Sequence, residues 1–245
     1  MIVQDFGVYV RLVTQHDHGL ISGVFAAAWR DPESGRPLSP ELALAVALHD
    51  VGWVEADRRP LVNEESSLPY DFLAYPDQAK VRLYEAAVLR MAAEDPYAAL
   101  LHSLHFTSFV PERQHPGYHA RQSATRAALE RRVIDRGGRV DDLPRDLELL
   151  RLLDVFSLVL CMTAPGTDPA SWPAWLTPSP LMHRRSMSWR WSGDELLLDP
   201  LPFERELEVV VPFRQVARDA RGRVAPGALY AAAEQHVVVR VRGPR

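Results

Sequence analysis

Four residues far apart in the chain, His18, His49, Asp50 and Asp154, stand in apolar stretches where a titratable side chain needs a partner. The segment "ALAVALHDVGW" reads as a helix that is apolar nearly all round and ends on His49 and Asp50. The negative pole of the helix dipole disfavours a carboxylate there, and partial burial adds to the cost. A compensating cation is therefore expected, either an arginine or a metal ion; the plainer alternative is an exposed helix end with a capping histidine. His18 shares a helical face with Ile21 and Phe25, so it points inward, as a core histidine or as a ligand. His16 is a rival that lies before that helix. In "ELLRLLDVFSLVLCM", Asp154 interrupts a strongly apolar helix. It either pairs with Arg151 three residues earlier or faces a buried cation.

The order His, His-Asp, Asp offers nitrogen and oxygen ligands from three helices. Such a set without thiolate suits Mn, Fe, Co, Ni, Zn or Mg. The single cysteine, Cys161, excludes a disulfide framework and a cysteine-rich zinc site.

The elements that must carry these residues follow from periodicity. Residues 2–14 alternate as two short strands around Asp5–Gly7. Asp17 can cap a helix over about 18–30, and Ser39–Pro40 starts one that reaches about Val51, with Gly52 as its stop. Helical patterns recur at about 77–93, 95–107, 117–136 and 143–163. The stretch 54–76 is an irregular loop. Residues 166–184 are rich in Pro, Ser and Thr and read as a linker. Beyond it, "SWRWSGDELLLD" is a hairpin turning at Gly193–Asp194, and "LEVVVPF" and "HVVVRV" are further strands flanking a short helix near 226–235. The expected architecture is mainly α: a helical domain with N-terminal strands over 1–165, the linker, and a small β-rich appendage over 185–245 that the N-terminal strands join.

With 245 residues and 47% hydrophobic content the chain can bury one large core. A net charge of −4 argues against a dedicated nucleic-acid binder. No apolar run is long enough for a membrane span, and the N-terminus lacks the pattern of a secretory signal, so a cytoplasmic protein is expected, with a possible homodimer through exposed strand edges.

The blocks "QHDHGLISGVFAAAW", "ALHDVGW", "DPYAALLHSLH" and "LLDVFSLVLC", with "LLLDPLPF" in the tail, resemble one bacterial branch of the HD superfamily of metal-dependent phosphohydrolases, the domain of unknown function 3891 family. The resemblance implies an HD-like helical bundle and the metal ligands His18, His49, Asp50 and Asp154. It favours His105 of "SLH" as a group that steadies a phosphate or leaving group, beside Asp50 as a proton acceptor. The expected activity is hydrolysis of a small phosphoester or nucleotide. A di-iron oxygenase of the myo-inositol oxygenase type, adding His105 and one of His102 or His119, is the alternative, and a non-catalytic metal-binding module is the third. His115 and His119 otherwise read as loop residues, and Arg58, Arg59, Lys80 and Arg82 as candidate phosphate holders.

Overall fold

A computed structural model describes residues 1–177, 187–220, 222–225 and 227–244. Two strands, β1 (Ile2–Asp5) and β2 (Tyr9–Val13), lead into helix α1 (Gln15–Ala28), followed by α2 (Pro40–Ala47), a 3-10 turn at Val51–Trp53 and the short α3 (Val54–Arg58). A small hairpin, β3 (Val62–Asn63) and β4 (Leu68–Pro69), occupies part of the stretch that reads as loop. The long helices α4 (Asp77–Glu94), α5 (Pro96–Thr107), α6 (Pro116–Asp135) and α7 (Leu143–Met162) complete the helical layer. After two further 3-10 turns come β5 (Ser188–Ser192), β6 (Glu195–Asp199), β7 (Leu207–Ala217), α8 (Ala228–Ala231) and β8 (Glu234–Arg242). Residues 178–184 of the expected linker lie outside the described residues; before them Trp172 and Leu176 are buried in the core.

The mainly α expectation is wrong. The protein is 47% helix and 20% strand, and six strands form one curled sheet shaped as a half-barrel. Its order is β1-β2-β7-β8-β6-β5. The N-terminal strands join the C-terminal ones as expected, β2 pairing antiparallel with β7 from Tyr9↔Ala217 to Leu12↔Arg214, but the sheet is no small appendage, because its buried face shares a core with the helices. The 11-residue β7 alternates buried and exposed residues and pairs along most of its length with β8. One face of the sheet closes over the helices. Phe25 of α1 stacks on Phe203 at 5.6 Å, and Phe156 of α7 meets Trp189 of β5 edge-on at 5.4 Å. Sheet and helices thus share a single core. Helical periodicity gives no sign of this, since partners some 200 residues apart leave no local pattern.

Capping chemistry explains the helix starts. Thr14 accepts from Asp17 N and Ser39 from Leu42 N, and α2 and α5 begin with proline after a capping side chain. Asp17, expected as the cap of α1, instead lies in its first turn, where its charge suits the helix dipole. Two close approaches fix the helix ends that matter below. A Cβ on Gly23 would stand 2.8 Å from the Ala47 side chain, and one on Gly52 would stand 2.8 Å from Ala87 Cβ and 2.9 Å from the Leu83 carbonyl oxygen. Only glycine lets the turn after α2 rest on α4.

Gly52→Ala is therefore expected to lower stability by about 1–3 kcal/mol, the usual scale for overpacking. Chemical denaturation of both proteins tests this; an unchanged midpoint would show that the contact is not tight.

Candidate metal centre

Helix α2 ends earlier than its apolar pattern suggests. Leu48 is its C-cap, so His49 and Asp50 occupy the bridge between α2 and the 3-10 turn. Two of the last carbonyls of α2 find imidazole donors. His49 Nδ1 bonds Val46 O at 2.8 Å, and His102 Nε2 bonds Ala45 O at 2.9 Å. A carbonyl can only accept, so Nδ1 of His49 carries the hydrogen. Its Nε2 is then a lone pair in the neutral ring. That atom is buried without a hydrogen-bond partner, 3.4 Å from Asp154 Oδ1, which is likewise buried and unpartnered, and 3.7 Å from Asp50 Oδ2.

His18 is held differently. The Ser157 hydroxyl donates to Asp154 O at 2.8 Å. Ser22 Oγ donates to Ser157 Oγ, and His18 Nδ1 lies 2.8 Å from the same oxygen. Nε2 lies 2.8 Å from Asp50 Oδ2, a hydrogen-bond length at which the ring N–H donates to the carboxylate. The unpartnered pair is thus His49 Nε2 and Asp154 Oδ1, which a proton or a metal ion between them would satisfy. His18, His49 and Asp154 each bring a ligand atom within 4.8 Å of the others and could hold a metal ion; Asp50 flanks them through His18.

His105 completes the cluster. Its Nε2 is 3.5 Å from Asp154 Oδ2 and its ring stands edge-on to His49 at 5.4 Å. The other expected residues lie elsewhere. His102 turns to Ala45 O, as above, and His119 Nε2 bonds Val110 O at 2.7 Å. His115 faces Asp77 at 3.5 Å. Arg58 is exposed and pairs with Glu55, and Lys80 reaches the Leu73 carbonyl at 3.4 Å. Asp57 accepts from Gln15 N at 2.7 Å and His16 N at 3.3 Å, and so anchors the first turn of α1. Arg151 does not pair with Asp154, whose neighbours are the three histidines. Sequence reasoning missed Ser22 and Ser157. Their signal was spacing: four residues after His18 and three after Asp154, each on its ligand's own face. A cavity of about 770 Å³ lies between the first turns of α2, α5 and α7, and none of the cluster residues lines it.

The electrostatics follow from this geometry. Burial opposes charge on His49, but the Asp50 and Asp154 carboxylates outweigh it and raise its pKa to about 9. Burial also works against the Asp50 carboxylate, yet His49 and His18 hold it down at about 2. His105 is pushed by burial to about 3 and is neutral. Without metal, a proton on His49 supplies the missing positive charge. Metal uptake must displace it.

A pH dependence of the metal-free protein follows. His49 titrates at about 9 folded against 6.5 ordinarily, so its stabilisation is complete below 6.5 and is lost as pH rises through 9. Asp50 titrates at about 2 against 3.8, so its contribution is complete above 3.8 and is lost as pH falls through 2. Thermal melts in chelator should show the melting temperature falling between pH 7 and 9.5, with that fall reduced in His49→Gln. An identical alkaline slope in the variant would rule the charge assignment out.

Comparison with known proteins is consistent with the sequence blocks. No curated protein and no solved structure matches the chain. The model of one family, described as "Protein of unknown function (DUF3891)", matches residues 1–218, and the chain belongs to that family.

Proposed function

We propose that the protein is a metal-dependent hydrolase of the HD type, acting on a small phosphoester or nucleotide, with a divalent ion held by His18, His49, Asp50 and Asp154. The observation that carries this reading is the buried convergence of His18, His49 and Asp154, with ligand atoms within 4.8 Å of one another and the unpartnered His49 Nε2 and Asp154 Oδ1 facing each other at 3.4 Å. Two carboxylates and two neutral imidazoles sum to a charge of −2, and a dication balances it. A divalent ion at such a site polarises a phosphoryl oxygen and brings the pKa of water towards ~7.

The chain's own groups have separable tasks. The Val46 carbonyl and Ser157 hydroxyl fix the two rings so that Nε2 faces inward. Asp50, ionised and at the edge of the cluster, accepts the proton of the attacking water. His105, held neutral by burial, offers an N–H to a phosphate or leaving-group oxygen instead of a full proton. The di-iron alternative finds less support, because His102 and His119, its candidates for a sixth ligand, both bond backbone carbonyls.

Elemental analysis of the purified chain is expected to find one divalent ion per molecule, lost in His49→Ala. With Mn or Co added, the wild type should hydrolyse at least one phosphomonoester, and His49→Ala should be reduced at least about 100-fold, since loss of the ion removes the Lewis acid. A fully metal-loaded wild type that turns over nothing on a broad panel of phosphoesters and nucleotides would overturn the hydrolase reading.

A further inference from the structure

The cluster leaves one neighbouring charge unanswered. Arg151 lies three residues before Asp154 in α7, one helical turn away on the same side. It is half-buried. The spacing invites an ion pair with Asp154, but that carboxylate is engaged by His18, His49 and His105. Arg151 makes no hydrogen bond or ion pair with any described residue. Its positive charge reaches the cluster all the same, where it adds to the burial that holds His105 neutral. The other cations considered for substrate contact are committed or exposed: Arg58 to Glu55, Lys80 to the Leu73 carbonyl.

The aliphatic stem of Arg151 accounts for its burial, since none of its guanidinium nitrogens is a buried unpartnered atom, and the head is open to a ligand. Its fork of N–H donors matches the oxygens of a phosphate group. The charge balance points the same way. A dication would only neutralise Asp50 and Asp154, so attraction for an anionic substrate needs a further positive charge beside the ion.

We propose that Arg151 binds the anionic group of the substrate and makes the site selective for esters that keep a free negative charge, phosphomonoesters above all. This rests on the hydrolase reading above and adds the residue that selects the substrate class.

The test uses the full chain loaded with Mn and titrated calorimetrically with inorganic phosphate, as wild type, Arg151→Ala and Arg151→Lys, with metal content and melting temperature recorded for each. Arg151→Ala should weaken phosphate binding about tenfold or more, the scale of a charged hydrogen bond, while metal content and melting temperature hold. Arg151→Lys should recover part of the affinity and guards against a folding artefact. For any phosphomonoester turned over, KM should rise more than kcat falls. Equal phosphate affinity in wild type and Arg151→Ala at equal metal loading would overturn the assignment alone. Loss of metal in Arg151→Ala would also overturn it, by making the residue a support of the cluster. A wild type that takes up no metal would sink the hydrolase reading and this assignment with it.

Discussion

A shortage of positive charge in a buried space governs this structure. His18 bridges Ser157 Oγ and Asp50 Oδ2 at 2.8 Å each. His49 commits Nδ1–H to the Val46 carbonyl and so aims the Nε2 lone pair at Asp154 Oδ1, 3.4 Å away. Repulsion of this kind would cost several kcal/mol if left uncompensated in a low-dielectric interior. A proton on His49 is the minimal answer and a divalent ion the fuller one. Burial keeps His105 neutral, and it walls the space edge-on to His49 with Nε2 3.5 Å from Asp154 Oδ2.

Holding four polar groups in such a space requires a stiff frame, and the fold supplies one from unrelated parts of the chain. Asp57, after the 3-10 turn, ties down the first turn of α1 and so sets the height of His18. Gly52 lets that turn press on α4, while Trp53 is buried between Tyr75 and Tyr84, at 4.9 and 6.1 Å. Behind α1 and α7 the aromatic cluster of Phe25, Phe156, Phe203 and Trp189 joins the helices to the sheet. The half-barrel is thus the wall against which the two ligand-bearing helices are clamped.

What could be read from the chain alone follows the range of the physics. Helix spans were legible because capping and 3.6-residue periodicity are local: Pro40, Asp95–Pro96 and the apolar run around Asp154 announced α2, α5 and α7. The convergence of His18, His49, Asp50 and Asp154 was legible because polar groups inside apolar helices require partners. That the N-terminal strands join those of the tail was read from their alternation, but the extent and curl of the six-stranded sheet were not, since its closure over the helices depends on the whole fold. The early end of α2 at Ala47 was missed for a related reason. Leu48 continues the apolar pattern, but the imidazole of His49 takes the carbonyl of Val46 and so favours the turn.

Solvent contact is unevenly distributed within the cluster. The imidazoles of His18 and His49 are each 1% exposed, whereas the carboxylates of Asp50 and Asp154 retain 12% and 11%. The imidazoles are sealed in the core, and the small solvent contact of the cluster lies on the two carboxylate side chains, away from the buried Asp154 Oδ1. A structural site closes around its ion with protein on every side, while a catalytic one keeps a face for water and substrate. With the outlet on the carboxylate side, an incoming anion would meet like charges first unless a cation stood among them. Arg151, one turn from Asp154 on the same helix and itself half-buried, is the cation proposed for that place.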